Sequence, residues 1–284
     1  MKKFKGIGMF LSVVSIATLV ACSDNISNTT AATNESESAS TAEAVNTTPL
    51  TSNEFDQMIT NPLDFKGRTV EFYGKVFVNP EKDEQGTYLQ VYADPKNNAK
   101  NIIVGIADPA STIKSDDYVH VKGVVKDKFE GENMMGGTVT APVILSDSVK
   151  VVDYATAVAP ALKTIDVNET KNQSGYKITV QKIELAESET RAYISIENST
   201  QDTASFYAFN TKLVQGSKQY EQETNYAAKY PELQSEILPG VKTEGIISFK
   251  TIDLNSGNLR LIAEGSTDDY SKQFKPFEFN ISLK

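Results

Sequence analysis

Short runs in which hydrophobic and polar residues alternate dominate the chain after residue 68. The clearest examples are Ile178–Leu185, where apolar and polar residues alternate with one shift at Gln181-Lys182, and Tyr193–Ile196. Alternation with a period of two is typical of β-strands that bury one face. The pattern therefore predicts a mainly β protein.

The first group of runs predicts a small barrel. Its predicted strands are Thr69–Val78, Thr87–Tyr92, Asn101–Ile106, Tyr118–Val125 and Val143–Val152. A short helix is predicted at Asp56–Asp64, with Ser52 or Asn53 as its N-cap. Five strands, with Gly74 placed to bend the first, favour a Greek-key barrel of the OB type over residues 51–155.

The second group of runs predicts a sandwich of two sheets over residues 160–284. Its predicted strands are Tyr176–Ala186, Arg191–Asn198, Phe206–Val214, Gln219–Gln222, Thr243–Phe249, Leu259–Glu264 and Phe274–Leu283. Turn signals at Pro239-Gly240 and Asn255-Ser256-Gly257 separate several of them. This spacing favours an immunoglobulin-like β-sandwich. The small apolar segment Ala155–Pro160 is predicted to join the two halves.

Two stretches resemble known families. Asn61-Pro62, Tyr73-Gly74-Lys75-Val76 and Asp116–Val124 resemble the anticodon-binding-like OB domains of Gram-positive lipoproteins. Ile194–Ser199 and Ile237–Phe249 resemble an immunoglobulin-like domain of unknown function that is common in Gram-positive secreted proteins. Both resemblances imply a fold and a surface location, and neither brings catalytic residues.

The N-terminus has the layout of an export signal. Three lysines precede an apolar stretch, Ile7–Val20, that is too short for a comfortable membrane span. The following Leu19-Val20-Ala21-Cys22 resembles the lipobox of bacterial lipoproteins. The resemblance implies cleavage between Ala21 and Cys22, lipidation of Cys22, and anchoring at the outer face of the cell membrane. The alternative is an ordinary secretory signal, residues 1–21, that happens to precede a cysteine.

Residues 22–50 predict a disordered tether. The segment is rich in Ser, Thr, Asn and Ala and contains no basic or aromatic residue. Such a composition cannot bury enough apolar surface to offset the entropy of ordering. A flexible chain of this length reaches about 30 Å, which is enough to hold a domain clear of lipid headgroups.

The charge of the chain disfavours nucleic acid as a partner. The formal net charge is −9 at pH 7, and residues 51–155 contain 11 basic and 16 acidic residues. This balance repels a phosphate backbone. Cys22 is the only cysteine, so the sequence offers neither a disulfide nor a cysteine nucleophile once Cys22 is acylated.

The sequence predicts no catalytic residue, metal site or cofactor. His120, the only histidine, has no cysteine or histidine partner for a metal and no identifiable nucleophile to activate. Its alternative role is that of an ordinary strand histidine. The pairs Asp116-Asp117 and Asp268-Asp269 do not follow the spacing of a calcium loop and are interpreted as turn residues or weak cation contacts.

Two loops are candidates for binding. Asp127–Gly137 connects the last two barrel strands and contains Phe129, Met134 and Met135, which favour an adaptable apolar contact. The alternative is a packed hairpin tip.

The second candidate is the segment Tyr220–Tyr230, which contains Tyr220, Tyr226 and Tyr230. Tyrosine is enriched at interfaces. The alternative is a short helix that packs these rings on the sandwich.

The expected function is that of a non-catalytic, lipid-anchored surface protein. Its partners would be the membrane, through the lipid on Cys22, and a protein or cell-wall component of the envelope. The alternative is a lipoprotein that binds a small solute or saccharide on the OB face. An enzyme is less favoured, because no nucleophile, base and orienting group can be assembled.

Overall fold

The structure is a computed structural model that describes residues 48–132, 136–254, 257–269 and 271–283. These residues belong to one compact unit. They form a mainly β protein with two short α-helices, which confirms the predicted class. Several predictions lie outside the described residues: Ala21, Cys22, the signal, the tether up to residue 47, Met134 and Met135.

The described chain begins with helix α1 (Ser52–Thr60), which starts four residues before the predicted Asp56. Its N-cap is Thr51, and a capping box explains the early start. The Thr51 N–H donates to the carboxylate of Glu54 at 2.9 Å, and the Glu54 N–H donates back to the Thr51 hydroxyl. A one-turn 3₁₀ helix, Pro62–Phe65, follows.

Six strands form the sheet of the first half. They are β1 (Thr69–Val76), β2 (Glu81–Lys82), β3 (Thr87–Asp94), β4 (Ala99–Ile106), β5 (Tyr118–Glu132) and β6 (Thr138–Val152). β1 pairs with both β3 and β5, and β6 pairs antiparallel with β5 and parallel with β4. Five of these strands therefore form a closed ring, β1-β5-β6-β4-β3.

The ring encloses the first hydrophobic core, which consists mostly of aliphatic side chains from alternate strand positions. Its fully buried members include Val70, Leu89, Ile102, Val121 and Ile144. Met58 of α1 also belongs to this cluster, so the helix covers part of the ring.

β5 and β6 are longer than predicted. The sequence placed Asp127–Gly137 in a connecting loop, but the ladder between β5 and β6 continues to the pair Glu132–Thr138. Phe129 is therefore a strand residue opposite Ala141, and its half-buried ring lies against Gly131. The assignment of Phe129 to a loop was wrong, because polar residues interrupt the hydrophobic pattern although the backbone pairing persists.

Helix α2 (Tyr154–Ala157) leads into the second half, and Asp153 caps it by accepting from the Thr156 N–H at 2.7 Å. The strands that follow are β7 (Ala161–Gln173), β8 (Tyr176–Ala186), β9 (Glu189–Asn198), β10 (Ala204–Phe206), β11 (Lys212–Gln215), β12 (Lys218–Glu221), β13 (Glu236–Ile237), β14 (Lys242–Lys250), β15 (Leu259–Ala263), β16 (Gly265–Thr267) and β17 (Phe277–Ile281).

These strands form two four-stranded sheets, β14-β9-β8-β7 and β12-β11-β15-β17, and a three-stranded sheet, β13-β10-β16. Neighbouring strands in all three sheets are antiparallel. A second hydrophobic core collects buried residues from all three sheets, among them Ile194, Phe206, Leu213, Ile247 and Phe279.

The prediction for the second half was wrong in several details, and the short strands β13 and β16 were missed. β7 was not predicted, because its edge position leaves most of its side chains polar and exposed. The predicted strand Phe206–Val214 is interrupted by a 3₁₀ turn at Ala208–Asn210. No helix in the described part of the chain is both long and apolar enough to cross a membrane.

Candidate functional site

His120 belongs to a small ion cluster on the outside of the ring. Its Nε2 lies 2.9 Å from Oε1 of Glu71, and its ring stacks on Tyr73 with centroids 4.5 Å apart. Lys122 binds the same carboxylate oxygen at 2.9 Å, and its hydrogen bond lowers the pKa of Glu71 below the ordinary value. Nε2 of His120 is therefore engaged in a contact between neighbouring strands of the ring.

The acidic pairs lie in turns. Asp116 forms an ion pair with Lys75 at 2.8 Å, and Asp117 accepts from a backbone N–H in its own turn. Hydrogen bonds from Ser271 and Lys272 lower the pKa of Asp269 to about 2. Within the described ranges, no three His, Cys, Asp or Glu side chains are grouped so that they could hold a metal ion.

The three predicted tyrosines have different environments. Tyr220 lies in β12 and packs against the second core. Tyr226 is 86% exposed, and the hydroxyl of Tyr230 donates to the carboxylate of Glu189. The segment forms a strand end and a turn, so the alternative of a short helix was wrong.

A buried ion cluster, which the sequence analysis missed, lies directly beside Tyr230. Its centre is Arg191, which is 1% exposed and lies opposite Glu184 on the neighbouring strand. Nε and Nη2 of Arg191 donate to one oxygen of Glu184 at 3.0 and 2.9 Å. Nη1 donates to Glu189 and to the backbone carbonyl of Ala159, each at 2.8 Å.

Two further side chains complete the cluster around Glu184. The Tyr193 hydroxyl donates to Glu184 at 2.9 Å, and the Lys182 ammonium donates to its other oxygen at 2.5 Å. Lys182 also lies 4.1 Å from the centre of the Tyr193 ring, in cation–π geometry. Two cations therefore balance two carboxylates in this cluster, as buried charges require.

The hydrogen bonds of the cluster keep its charges fixed. Burial raises the pKa of Glu184, but hydrogen bonds from Lys182, Tyr193 and Arg191 outweigh it and leave that pKa below the ordinary 4.5. Burial, together with the hydrogen bond to Glu184, raises the pKa of Tyr193 to about 12. At neutral pH the carboxylate is charged and the tyrosine is neutral.

The ion cluster positions residues Glu223–Tyr230, which we call the tyrosine segment. Glu189 accepts hydrogen bonds from Asn225, at 2.9 Å, and from Tyr230. At the other end, the backbone N–H of Glu223 donates to the carbonyl of Ser248 at 2.8 Å, and the Ser248 hydroxyl donates to the carbonyl of Glu223. The segment is thus held at both ends, and exposed Tyr226 lies in the turn between them.

The tyrosine segment lines two clefts. The first, of about 240 Å³, is lined mostly by polar residues: Ser188, Glu189, Glu223, Thr224, Asn225, Tyr226, Ser248 and Phe249. The second, of about 160 Å³, includes residues of both halves: Lys75, Pro95, Lys96, Asn98, Tyr118, Tyr154, Val158 and Ala227. Of the predicted binding residues, Tyr226 and Tyr230 lie in this region, whereas Phe129 lies in β5.

Comparison with known proteins leaves the family open. No protein-family model matches the chain, and no curated protein matches it. Solved structures with some similarity include a functionally unknown protein from Listeria monocytogenes EGD-e, with 11% identity, a TM-score of 0.32, and coverage of 44% of this chain and 86% of that one.

Two further solved structures show similarity of the same order. The yjhA protein from Bacillus subtilis has 15% identity and a TM-score of 0.34, with coverage of 42% of this chain and 98% of that one. A conserved hypothetical protein from Bacillus anthracis has 12% identity and a TM-score of 0.29, with coverage of 37% and 95%. Similarity at this level supports no conclusion about fold or function.

Proposed function

We propose that the chain is a lipid-anchored protein of the outer face of the cell membrane, and that it acts by binding an envelope protein through the tyrosine segment. The binding proposal rests on the position of Tyr226. Its side chain is 86% exposed, while the flanking Asn225 and Tyr230 are both hydrogen-bonded to buried Glu189. The run that ends at Cys22 supports the anchor.

The physical case rests on preorganisation. A flexible loop must be ordered when it binds, which costs about 0.5–1.5 kcal/mol for each immobilised side chain. The tyrosine segment is already held by hydrogen bonds to Glu189 and Ser248, so less ordering remains. A tyrosine presented in this way offers a large contact area, and tyrosine is enriched among the residues that dominate interface energies.

The proposal includes an OB-type barrel over residues 51–155 and an immunoglobulin-like sandwich over residues 160–284. The barrel is supported by the closed ring of five strands with a single parallel pair, β4–β6. The sandwich is supported by two four-stranded antiparallel sheets that contribute to one core. Both are architectures that carry binding surfaces in many proteins.

A second candidate function is binding of a saccharide on the outer face of the barrel. Tyr88, Gln90 and Tyr92 of β3 alternate with fully buried residues and therefore lie on that face. Phe77 stacks on Tyr92 with ring centroids 3.9 Å apart. Aromatic rings beside an amide suit a sugar, and the second and third strands of an OB fold are its usual binding face.

One experiment tests both candidates. Chemical crosslinking on intact cells, followed by affinity capture of the full chain, would be compared for the wild type and three variants. We expect Tyr226→Ala to reduce captured envelope protein at least tenfold, because truncation of an interface anchor costs about 2 kcal/mol or more. Phe209→Ala is the matched control, since Phe209 is another exposed aromatic, at 69%.

The third variant, Tyr92→Ala, separates the two functions. Suppose that Tyr92→Ala captures less saccharide than the wild type, while Tyr226→Ala captures as much envelope protein as the wild type. The second function, saccharide binding, would then replace the first. Equal capture by the wild type and Tyr226→Ala would contradict the role of the tyrosine segment. Thermal unfolding of Tyr226→Ala and Phe209→Ala must match the wild type, because an exposed substitution usually changes stability by only about 0.5 kcal/mol.

A further inference from the structure

The second cleft lies where the two halves meet. Tyr118 comes from β5, Tyr154 from α2 and Ala227 from the tyrosine segment. The rings of Tyr118 and Tyr154 meet edge to face with centroids 5.6 Å apart, and Tyr154 meets Tyr230 in the same way at 6.1 Å. The walls of the cleft are therefore fixed by packed aromatic rings from both halves.

The polar groups in this cleft are mainly hydrogen-bond donors. Within the described ranges, no hydrogen bond or ion pair engages the Lys96 ammonium or the hydroxyls of Tyr118 and Tyr154. Lys75 also lines the cleft; its ammonium group pairs with Asp116 at 2.8 Å and lies 5.9 Å from the centre of the Tyr118 ring, and it carries three N–H groups in all. Four donor side chains thus line one small concavity.

The charged side chains that line the cleft are both cationic, although the chain as a whole is acidic. Asp116 balances Lys75 and also lies in the field of Lys229, whereas no ion pair engages Lys96 in the described part of the chain. A concave site of one charge sign concentrates ions of the opposite sign. The cleft therefore attracts a small anion.

The backbone around the cleft is conformationally costly. Asn98, Asp116 and Lys229 adopt left-handed conformations, with φ of 51°, 71° and 49°. Non-glycine residues in this region carry strain, and such residues cluster at functional sites. Asn98 lines the cleft, and Asp116 holds the cleft residue Lys75.

From these observations we infer that the cleft between the two halves binds a small carboxylate with a ring-shaped body. The cationic and hydroxyl donors match a carboxylate, and Pro95, Val158 and the two tyrosine rings supply apolar walls for the rest of the molecule. The volume of about 160 Å³ suits a ligand with one ring, since an apolar cavity of about 150 Å³ can hold benzene. This site is separate from the docking role proposed for Tyr226.

The inference is tested by titration of the full chain in detergent with benzoate, glucuronate and their neutral counterparts benzyl alcohol and glucose. We expect a carboxylate to bind at least tenfold more tightly than its neutral counterpart. Tighter binding of glucuronate would identify the occupant as a sugar acid, and tighter binding of benzoate would identify it as an aromatic acid. Equal affinity for acid and neutral counterpart would overturn the inference.

Two variants test whether the carboxylate binds in this cleft. Lys96→Gln should weaken carboxylate binding at least fivefold, because it removes a cationic donor that lines the cleft. Lys126→Gln should have no effect, since Lys126 lies eight residues along β5 from Tyr118, or roughly 25 Å on an extended strand. Equal affinities of these two variants would also overturn the inference.

A measurement on the wild type alone provides an independent check. Carboxylate binding should weaken as sodium chloride is raised, because salt screens the attraction, whereas binding of the neutral counterpart should not change.

Tyr226→Ala should leave carboxylate binding unchanged. Failure of the docking proposal can thus be distinguished from failure of this one.

Discussion

Arg191 is the residue on which the position of the tyrosine segment depends. It is almost fully buried and holds both Glu184 and Glu189, and Glu189 in turn holds Asn225 and Tyr230. A buried pair of this kind contributes little net stability compared with apolar residues, but loss of one partner leaves a buried charge uncompensated. We infer that the cluster fixes the geometry of the segment more than it stabilises the fold.

Arg191→Met tests this role at the scale of a single residue. We expect a loss of about 3–5 kcal/mol in the free energy of unfolding at pH 7, because buried Glu189 loses its ion pair with Arg191 and Glu184 keeps only Lys182. Urea denaturation measures it. The control is Arg260→Met, whose exposed pair with Glu278 at 3.5 Å should be worth about 1 kcal/mol or less. Equal losses for both variants would refute the special role of Arg191.

The pH dependence follows from the lowered pKa of Glu184. A carboxyl whose pKa is lower in the folded than in the unfolded state stabilises the fold above its unfolded pKa of about 4.5, and this stabilisation is lost as pH falls through the folded value. In Arg191→Met, Glu184 loses the hydrogen bonds from Arg191 that help to lower its pKa, so this part of the stabilisation is absent at neutral pH. The difference in stability between wild type and variant should therefore shrink as pH falls below about 4.5.

At the scale of elements, the ring of the first half closes at Gly74. At this point β1 pairs with β5 and, one residue later, with β3. A Cβ atom on Gly74 would lie 2.3 Å from a methyl carbon of Val91 and 2.8 Å from the carbonyl oxygen of Tyr92. Only glycine allows β3 to approach β1 this closely.

Gly74→Ala should therefore lower the free energy of unfolding by about 1–3 kcal/mol, the usual range for overpacking. Gly105→Ala is the matched control in the same sheet, because its Cβ would make only ordinary contacts at 3.8 Å or more. Thermal denaturation compares the two variants. A Gly74→Ala variant as stable as Gly105→Ala would contradict the role of Gly74 in ring closure.

The sequence predicted those elements whose hydrophobic pattern is produced by local burial. β8 was predicted with its observed bounds, Tyr176–Ala186, since its alternating residues face the core. β7 was missed because an edge strand is stabilised by pairing with its neighbour and needs no apolar face. A hydrophobic pattern indicates which side chains are buried. It does not indicate a strand that is held only by backbone pairing with its neighbour.

The candidate site was predicted in part. Tyr226 and Tyr230 were identified from composition, but the ion cluster that positions them was missed. The sequence did contain a signal for this cluster, because a turn at Glu187-Ser188 places Glu184 opposite Arg191 on the next strand. What the sequence could not supply is the long-range contact of Tyr230 with Glu189, because that contact joins residues 41 positions apart.

At the scale of the whole molecule, the protein that we propose combines a lipid anchor, a tether and a binding segment held by hydrogen bonds at both ends. Two or more acyl chains on Cys22 would give stable attachment, at about 0.8 kcal/mol per buried methylene, where a single chain is marginal. A tether that reaches about 30 Å would confine the tyrosine segment to a thin layer above the membrane. Confinement raises the effective concentration toward a partner in the same layer.

The most direct test of this account is photocrosslinking in intact cells, with a photoreactive phenylalanine analogue at position 226 and, as the control, at position 209. We expect one dominant crosslinked protein from position 226 and none from position 209. In a Cys22→Ala background the crosslink should fall at least tenfold, because the chain is released or left unprocessed. Equal crosslinking from both positions, or an undiminished crosslink in Cys22→Ala, would contradict the account.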